Sequence, residues 1–364
     1  MNAELVYLFV YDTNARLPQD KVKDILKRPE DFSKYEYKAP SPEEVPTFSI
    51  PLIFNLRGGE LNIGGTALKA KVQVAIYEPG AISIRIRLPI ENADMKALLG
   101  ATFSKEAKEF VMTLLQKSKA SIEGSISKII PIKLSESNET YRFYYIHGES
   151  AEVLKASRKQ VAGLLVDEKD ADNLDDKYVG EVLANSISYN SKDAFFVGWE
   201  ASVMIDTLDL YDYELIITEI ANIQLLKLRL YRQRANEMLG STSDTMSRLM
   251  GMGIMRRMLS GEATKLNHML SAFYDNAMET LNATDNIAFG LGEWYLSKLY
   301  ALFANVFKIG ELSQLVKKDM EIIEKRQEFV VEHLRARQTD ILEFIVIVLI
   351  VVEVVIEVAF LQRL

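Results

Sequence analysis

The sequence contains no cysteine among its 364 residues. This absence excludes a disulfide scaffold, a thiol nucleophile, an iron–sulfur cluster and a cysteine-type zinc site. Histidine is nearly as scarce, because only His147, His268 and His333 occur and they are far apart in the chain. A histidine-rich metal centre is therefore not expected, and the sequence predicts no cofactor.

Proline is absent after Pro131, although more than 200 residues follow it. Because proline breaks helices, this stretch, with its apolar residues at helical spacing, favours long helices. The excess of one charge sign is small, with a net charge of −8, and this argues against broad electrostatic binding of nucleic acid. Hydrophobic residues at 48% and charged residues at 26% exclude a wholly disordered chain.

The clearest local pattern is a period-two alternation on both sides of Glu78-Pro79-Gly80. It predicts an antiparallel hairpin with one face on a core and the other face, which carries Arg85 and Arg87, in solvent. A second hairpin is predicted with its turn at residues 57–60. Ser104 is predicted to cap the helix that follows. The apolar positions of the clearer hairpin are Val72, Val74, Ile76, Ile82, Ile84, Ile86 and Leu88.

The length predicts two or three structural units, and composition divides the chain into four segments. They are an α+β domain at residues 1–150, a mixed connector at 151–207, a helical coiled-coil region at 208–340 and a transmembrane tail anchor at 341–364. The predicted fold class is α+β, with an amino-terminal antiparallel-sheet α/β domain, then long antiparallel helices and a single carboxy-terminal transmembrane helix.

The predicted anchor runs from Phe344 to Leu361, where 16 of 18 residues are apolar. As a helix it would be about 27 Å long, close to the roughly 30 Å of a membrane's hydrocarbon core. Basic residues upstream predict a single-pass protein of the cell membrane, with the bulk of the chain in the cytoplasm. The alternative is a buried strand or core helix, because Val and Ile dominate the segment. The residues assigned to the anchor are Phe344, Ile350, Glu353, Glu357 and Leu361.

Two carboxylates, Glu353 and Glu357, interrupt the apolar segment and share one helix face, since they are four residues apart. Near the centre of a membrane each costs about 2.5–3.5 kcal/mol. The pair is compatible with protonation, with contacts between helices of an oligomer, or with a place near the far interface. It also keeps open an oligomeric channel or membrane-remodelling element.

A methionine- and arginine-rich segment follows the first long helical stretch. Methionine is flexible and polarizable and suits adaptable contact surfaces, and arginine can engage anionic lipid or RNA. The alternative for the methionine-rich segment is a poorly ordered link between helices with partly buried Met. For the basic clusters, which include Arg229 and Arg232, the alternative is solvated helix faces and ion pairs between helices. The candidate contact residues for a partner or lipid are Met250, Met252, Met255, Arg256, Arg257, Arg229 and Arg232.

Three acidic residues, Asp206, Asp209 and Asp212, are spaced three apart where the helical region begins. On one helix they would lie near one face and could bind a hard cation. The alternative is that they are acids of a first helical turn, where they complement the helix dipole.

Four stretches together resemble the "required for meiotic nuclear division" protein family. They are AFFVGWE at 194–200, the segment 213–229, ILEFIVIVLIVVEV at 341–354 and the hairpin IYEPGAISI at 76–84. The resemblance implies an α/β domain, a helical region and a carboxy-terminal membrane helix. It also implies an oligomeric tether or assembly factor with no known catalytic residue.

These patterns together predict a tail-anchored membrane scaffold that acts by self-association and partner binding, not by catalysis. The expected partners are the membrane, further copies of this chain through residues 208–340, and an unknown protein. The alternatives are a membrane-face enzyme with an acidic metal-assisted site, and the channel or remodelling element.

Overall fold

The computed structural model describes residues 2–22, 33–35, 51–63, 66–91, 94–127, 130, 132–250, 261–289 and 294–361. The chain divides into two compact units. Unit 1 comprises Met1–Lys227 and Asn282–Gly310, and unit 2 comprises Leu228–Leu281 and Glu311–Leu364.

The strands belong to one mixed sheet in unit 1, with the order β2-β3-β4-β5-β1-β6-β9-β8-β7. All neighbouring strands pair antiparallel except β6 and β9, which are parallel. The strands are β1 (Ala3–Asp12), β2 (Ser33–Lys34), β3 (Leu52–Ile63), β4 (Thr66–Tyr77), β5 (Ala81–Ile90), β6 (Asn138–His147), β7 (Ser186–Ile187), β8 (Ala194–Val197) and β9 (Ala201–Asp206).

The helices between the strands have 4 to 22 residues, and those after the last strand have 13 to 53. They are α1 (Gln19–Val22), α2 (Met95–Phe103), α3 (Lys105–Ile126), α4 (Ser150–Val166), α5 (Asp176–Leu183), α6 (Asp212–Met250), α7 (Glu262–Phe289), α8 (Trp294–Val306) and α9 (Ile309–Leu361), with a 3-10 turn at Ala171–Asn173.

The hairpin of β4 and β5 is confirmed, with its turn at Glu78-Pro79-Gly80 and Tyr77 paired with Ala81. Its apolar face packs into the core between the sheet and helices α2, α3 and α4. The other face is not in solvent as predicted, since Arg85 is fully buried and Arg87 mostly so. The reason is that α6 provides the polar partners on this face, among them Glu219.

The predicted hairpin with a turn at residues 57–60 is wrong. β3 continues through these residues, and its pairing with β4 only shifts register between Leu56 and Gly59. The two glycines permit this bulge, because a Cβ on Gly58 would lie 2.0 Å from the carbonyl oxygen of Ala70.

The amino-terminal cap of α3 is confirmed. Ser104 has extended backbone angles, and its hydroxyl accepts a hydrogen bond from the backbone N–H of Ala107 at 3.2 Å. The helix then buries one face, to which Val111, Leu115 and Ile122 belong. A cap of this kind satisfies one of the N–H groups that the first turn leaves unpaired.

We expect Ser104→Ala to lower the free energy of unfolding by about 0.5–2 kcal/mol, because the first turn of α3 loses that acceptor. Urea denaturation followed by circular dichroism measures the change. Ser121→Ala, five residues before the last residue of the same helix, is the matched control and should be neutral or slightly stabilising. Equal losses in the two variants would contradict the capping role.

The core of unit 2 is formed by apolar residues of its helices, among them Leu270, Val316, Ile323 and Val330, all fully buried. A polar contact is added by Arg326, which donates to the carbonyl oxygen of Leu239 at 2.5 Å and to the Thr242 hydroxyl at 2.6 Å.

The predicted transmembrane anchor is wrong. No helix in the described part of the chain is long and apolar enough to cross a membrane. The carboxylates explain this, because between Glu343 and Glu353 only nine residues are uncharged, about 14 Å of helix against a core of about 30 Å. The fold class with its final transmembrane helix, and the single-pass membrane location, are therefore not supported.

The residues assigned to the anchor belong instead to the last part of α9, a helix of 53 residues. Phe344 and Ile350 expose 51% and 53% of their surface, so the alternative of a buried core element does not hold either. Glu353 is exposed, whereas the side chains of Glu357 and Leu361 lie outside the described residues.

Candidate functional site

The polar face of the unit 1 sheet carries a buried ion pair. The Arg85 guanidinium on β5 donates from Nε to Glu219 Oε1 at 2.7 Å and from Nη2 to Glu219 Oε2 at 2.5 Å. The Tyr77 hydroxyl donates to the same carboxylate at 2.5 Å. The ionic side chains of Arg85 and Glu219 are both 0% exposed, so each charge depends on the other for compensation.

A second buried ion pair links the end of strand β1 to helix α6. Lys227 Nζ donates to Asp12 Oδ1 at 2.7 Å, and the two side chains are 3% and 6% exposed. Together with Glu219, this lysine fixes the position of α6 along the sheet. Sequence reasoning missed this role, because Lys227 stands next to exposed basic residues and looks like one of them.

A third cluster lies where β1 begins and β5 ends. Arg87 donates from Nε and Nη2 to the two carboxylate oxygens of Glu4 at 3.0 and 2.8 Å, and from Nη1 to Gln73 at 3.2 Å. The Tyr211 hydroxyl accepts from Arg87 and donates to Glu4. Burial, the largest single influence, lowers the pKa of Arg87, but the charge and hydrogen bond of Glu4 together with the nearby Tyr35 raise it, so the net pKa rises and Arg87 stays charged.

Tyr35, the residue that follows strand β2, completes this cluster. The Tyr35 hydroxyl hydrogen bonds to the Asp212 carboxylate, with distances of 3.0 and 2.8 Å to its two oxygens. Burial, followed by the Asp212 charge, raises the pKa of Tyr35 to about 12. Tyr35 is therefore a protonated donor over the whole physiological pH range.

These groups line a cleft of about 260 Å³. Its charged lining residues are Glu4, Lys71, Arg87, Glu91, Asp209 and Asp212. Its aromatic lining residues are Tyr35, Tyr145 and Tyr211. Tyr145 and Tyr211 stack with ring centroids 4.5 Å apart, and both are almost fully buried, so each ring covers one face of the other beside the cleft.

The three acidic residues predicted as a helix start or cation site are separated by the structure. Asp206 ends β9 and accepts from the backbone N–H of Thr207 and Leu208, whereas Asp212 begins α6. Asp209 is exposed between them and shares a hydrogen bond with His147 Nδ1 at 3.2 Å. Over the described residues, no group of three or more His, Asp or Glu side chains is placed to hold a metal ion.

The predicted partner or lipid contacts fall only partly within the described residues. Arg229 and Arg232 are exposed on α6, in unit 2. Met252, Met255, Arg256 and Arg257 lie outside the described residues, as does the Met250 side chain.

Sequence reasoning also missed Arg85, Arg87 and Glu219 as an interacting set. A signal was present, because Glu219 stands within the apolar stripe of Leu215, Ile216, Ile220 and Ile223. A carboxylate in a helix face that is otherwise apolar predicts a buried cation opposite it.

Comparison with known proteins gives one family and one relative. Residues 2–211 match the family described as "Uncharacterized protein MJ0711, N-terminal domain". The chain is also similar to the protein of that name from Methanocaldococcus jannaschii, with 24% identity over 184 residues, which cover 50% of this chain and 55% of the relative. The chain thus spans about half the length of this relative. No solved structure matches the chain.

The resemblance to the "required for meiotic nuclear division" family is therefore wrong. The stretches on which it rested are common structural features, since residues 194–197 form a buried strand and 341–354 are part of a helix that does not span a membrane. The matching family model covers more than half of the sequence, so this chain belongs to the MJ0711 N-terminal domain family.

Proposed function

We propose that this protein is a non-catalytic scaffold whose chains associate with one another through the end of α9. The observation that carries the proposal is the exposure of apolar side chains there. Between Leu342 and Val358, fourteen large apolar residues each expose between 42% and 64% of their surface. A helix that is apolar all round is normally buried by neighbouring elements.

The surface is large enough for a stable interface. Typical interfaces use roughly 800 Å² on each partner, and fourteen half-exposed apolar side chains provide a surface of that order. Burial of apolar surface contributes about 25 cal/mol per Å². An exposed patch of this kind favours a protein–protein contact over permanent contact with water.

The spacing of the apolar residues suits a bundle of identical helices. A heptad seam, which we call the α9 seam, comprises Phe344, Ile347, Val351, Val354 and Val358. Glu353 lies outside it, so its carboxylate stays in water while the seam is covered. β-Branched residues at both seam positions favour three or four strands over two.

We expect the full-length chain to contain more than one copy per particle at micromolar concentration, and Ile347→Lys with Val354→Lys to reduce it to one. Two lysines in the α9 seam would place charges from every chain against each other in an apolar interior. Size-exclusion chromatography with light scattering measures the particle mass.

The matched control is Leu315→Lys with Ile322→Lys, which places two lysines seven residues apart at exposed apolar positions earlier on α9. This control should keep the wild-type particle mass. A wild-type monomer, or equal dissociation of both variants, would contradict the proposal. So would a monomer that floats with lipid vesicles, because lipid would then cover the surface.

A further inference from the structure

The end of α9 carries a second apolar stripe on the side of the helix opposite to the α9 seam. We call it the outer seam, and its residues follow one another at intervals of three and four. Each of them stands two residues before a member of the α9 seam, which places it about 200° further around the helix axis. The outer seam comprises Leu342, Ile345, Leu349, Val352 and Ile356, which expose between 48% and 64% of their surface.

A bundle built on the α9 seam alone does not cover the outer seam. In a bundle of three or four helices, each helix buries its seam and the positions that flank it. The flanking positions of α9 add Val348, Ile350 and Val355 to the five seam residues. Eight of the fourteen exposed apolar residues are then covered, whereas Val346 and the five residues of the outer seam still face water.

The apolar area that remains is a large part of the whole. All fourteen residues together provide a surface of the order of the roughly 800 Å² that each partner of a stable interface uses. The eight covered residues supply only a little more than half of it. The outer seam forms a stripe about 21 Å long, and a contiguous apolar stripe of this kind marks a contact with another protein surface.

The surface that fits the outer seam is the outer seam of another copy. Its spacing and its residue types repeat those of the α9 seam, so the side chains of two identical helices interdigitate. Intervals of three and four also remain intervals of three and four when the helix is reversed. Two copies therefore pack antiparallel in a twofold contact with Leu349 of each helix at the centre. Glu353 stands beside Val352 at the rim of this contact, where its carboxylate reaches water.

Given the proposed association through the α9 seam, we propose that the outer seam joins the resulting bundles to one another. The contact uses five residues of each helix, fewer than the eight that the bundle covers, and it is the weaker of the two. A single chain has one outer seam, which is too small to hold a pair together. A bundle presents one outer seam for every chain, and this multivalency raises the effective concentration of the contact. Bundles thus join into particles that grow with protein concentration.

The experiment measures the mean particle mass of the full-length chain by static light scattering at increasing protein concentration. We expect the wild-type mass to rise about twofold or more over an about fiftyfold range of concentration, because bundles join. Ile345→Lys with Val352→Lys, the outer-seam variant, should keep the mass of one bundle throughout. Its lysines replace exposed residues, so the variant folds, and they bring like charges together wherever two outer seams meet.

The matched variant is Ile347→Lys with Val354→Lys, the same two residue types two positions further along α9, and it should be monomeric. Leu315→Lys with Ile322→Lys is the control and should have the wild-type mass at every concentration. A wild-type particle of several chains with a constant mass would overturn the outer-seam contact and leave the α9 seam in place. An outer-seam variant that has the wild-type mass would do the same.

Two further outcomes would also overturn the outer-seam contact. A monomeric outer-seam variant would mean that the two stripes act as one surface. Loss of the large particles on addition of phosphatidylcholine vesicles, with the protein floating with the vesicles, would mean that lipid covers this face. A wild-type monomer at every concentration would overturn the proposed function as well, so the failure of the two proposals is distinguishable.

Discussion

Glu219→Ala should lower the free energy of unfolding by about 3–5 kcal/mol, because it leaves the Arg85 guanidinium buried without its carboxylate. Both ionic side chains are 0% exposed, so water cannot replace the lost partner. The Tyr77 hydroxyl loses its acceptor in the same variant. The loss is a large part of the 5–15 kcal/mol that stabilises a typical protein.

Urea denaturation followed by tryptophan fluorescence measures this loss, since Trp199 and Trp294 both belong to unit 1. The control is Glu78→Ala, which breaks the exposed pair with Arg16 and should cost less than about 1 kcal/mol. A double variant, Glu219→Leu with Arg85→Met, removes both charges and should recover most of the stability. Equal losses for Glu219→Ala and Glu78→Ala, or no recovery in the double variant, would contradict the account.

Gly80→Ala is expected to destabilise the protein by about 2–4 kcal/mol, because it combines an unfavourable backbone conformation with a steric overlap. Gly80 has φ +86°, and a Cβ there would lie 2.2 Å from the carbonyl oxygen of Ala15. The backbone of Ala15 cannot easily retreat, since neighbouring backbone hydrogen bonds join Thr13 to Gly80 and Leu17 to Glu78.

The same substitution in α2 should have the opposite sign. Gly100 lies in the helix, and a Cβ there meets nothing within 4 Å. Gly100→Ala should stabilise by about 0.5–1 kcal/mol, since alanine loses less conformational freedom on folding. The urea midpoints of the two variants should therefore shift in opposite directions. A shift of both variants in one direction would contradict the explanation.

The sequence was sufficient where a pattern is local. The β4–β5 hairpin followed from alternation and a Pro-Gly turn, and the Ser104 cap from one residue before an amphipathic helix. The environment of Arg85 could not be predicted in this way. Alternation shows that a strand has two faces, but the element that covers the second face, α6, begins more than 100 residues later.

The cleft could not be predicted because its residues come from separate segments. Glu4, Tyr35, Arg87 and Asp212 meet only when β1, β5 and the start of α6 are in place. The predicted membrane helix failed for another reason. Overall hydropathy dominated the interpretation of residues 344–361, whereas the spacing of Glu343 and Glu353 limits the uncharged run to nine residues.

The strands of the unit 1 sheet become shorter towards the β7 edge. From β6 to β7 the strands have ten, six, four and two residues. An edge of two residues offers a neighbouring chain few unpaired backbone groups, which limits strand addition and the fibrillar aggregation that follows from it. Folded chains that lose the α9 seam contact should therefore remain dispersed as single molecules, instead of joining edge to edge on this side of the sheet.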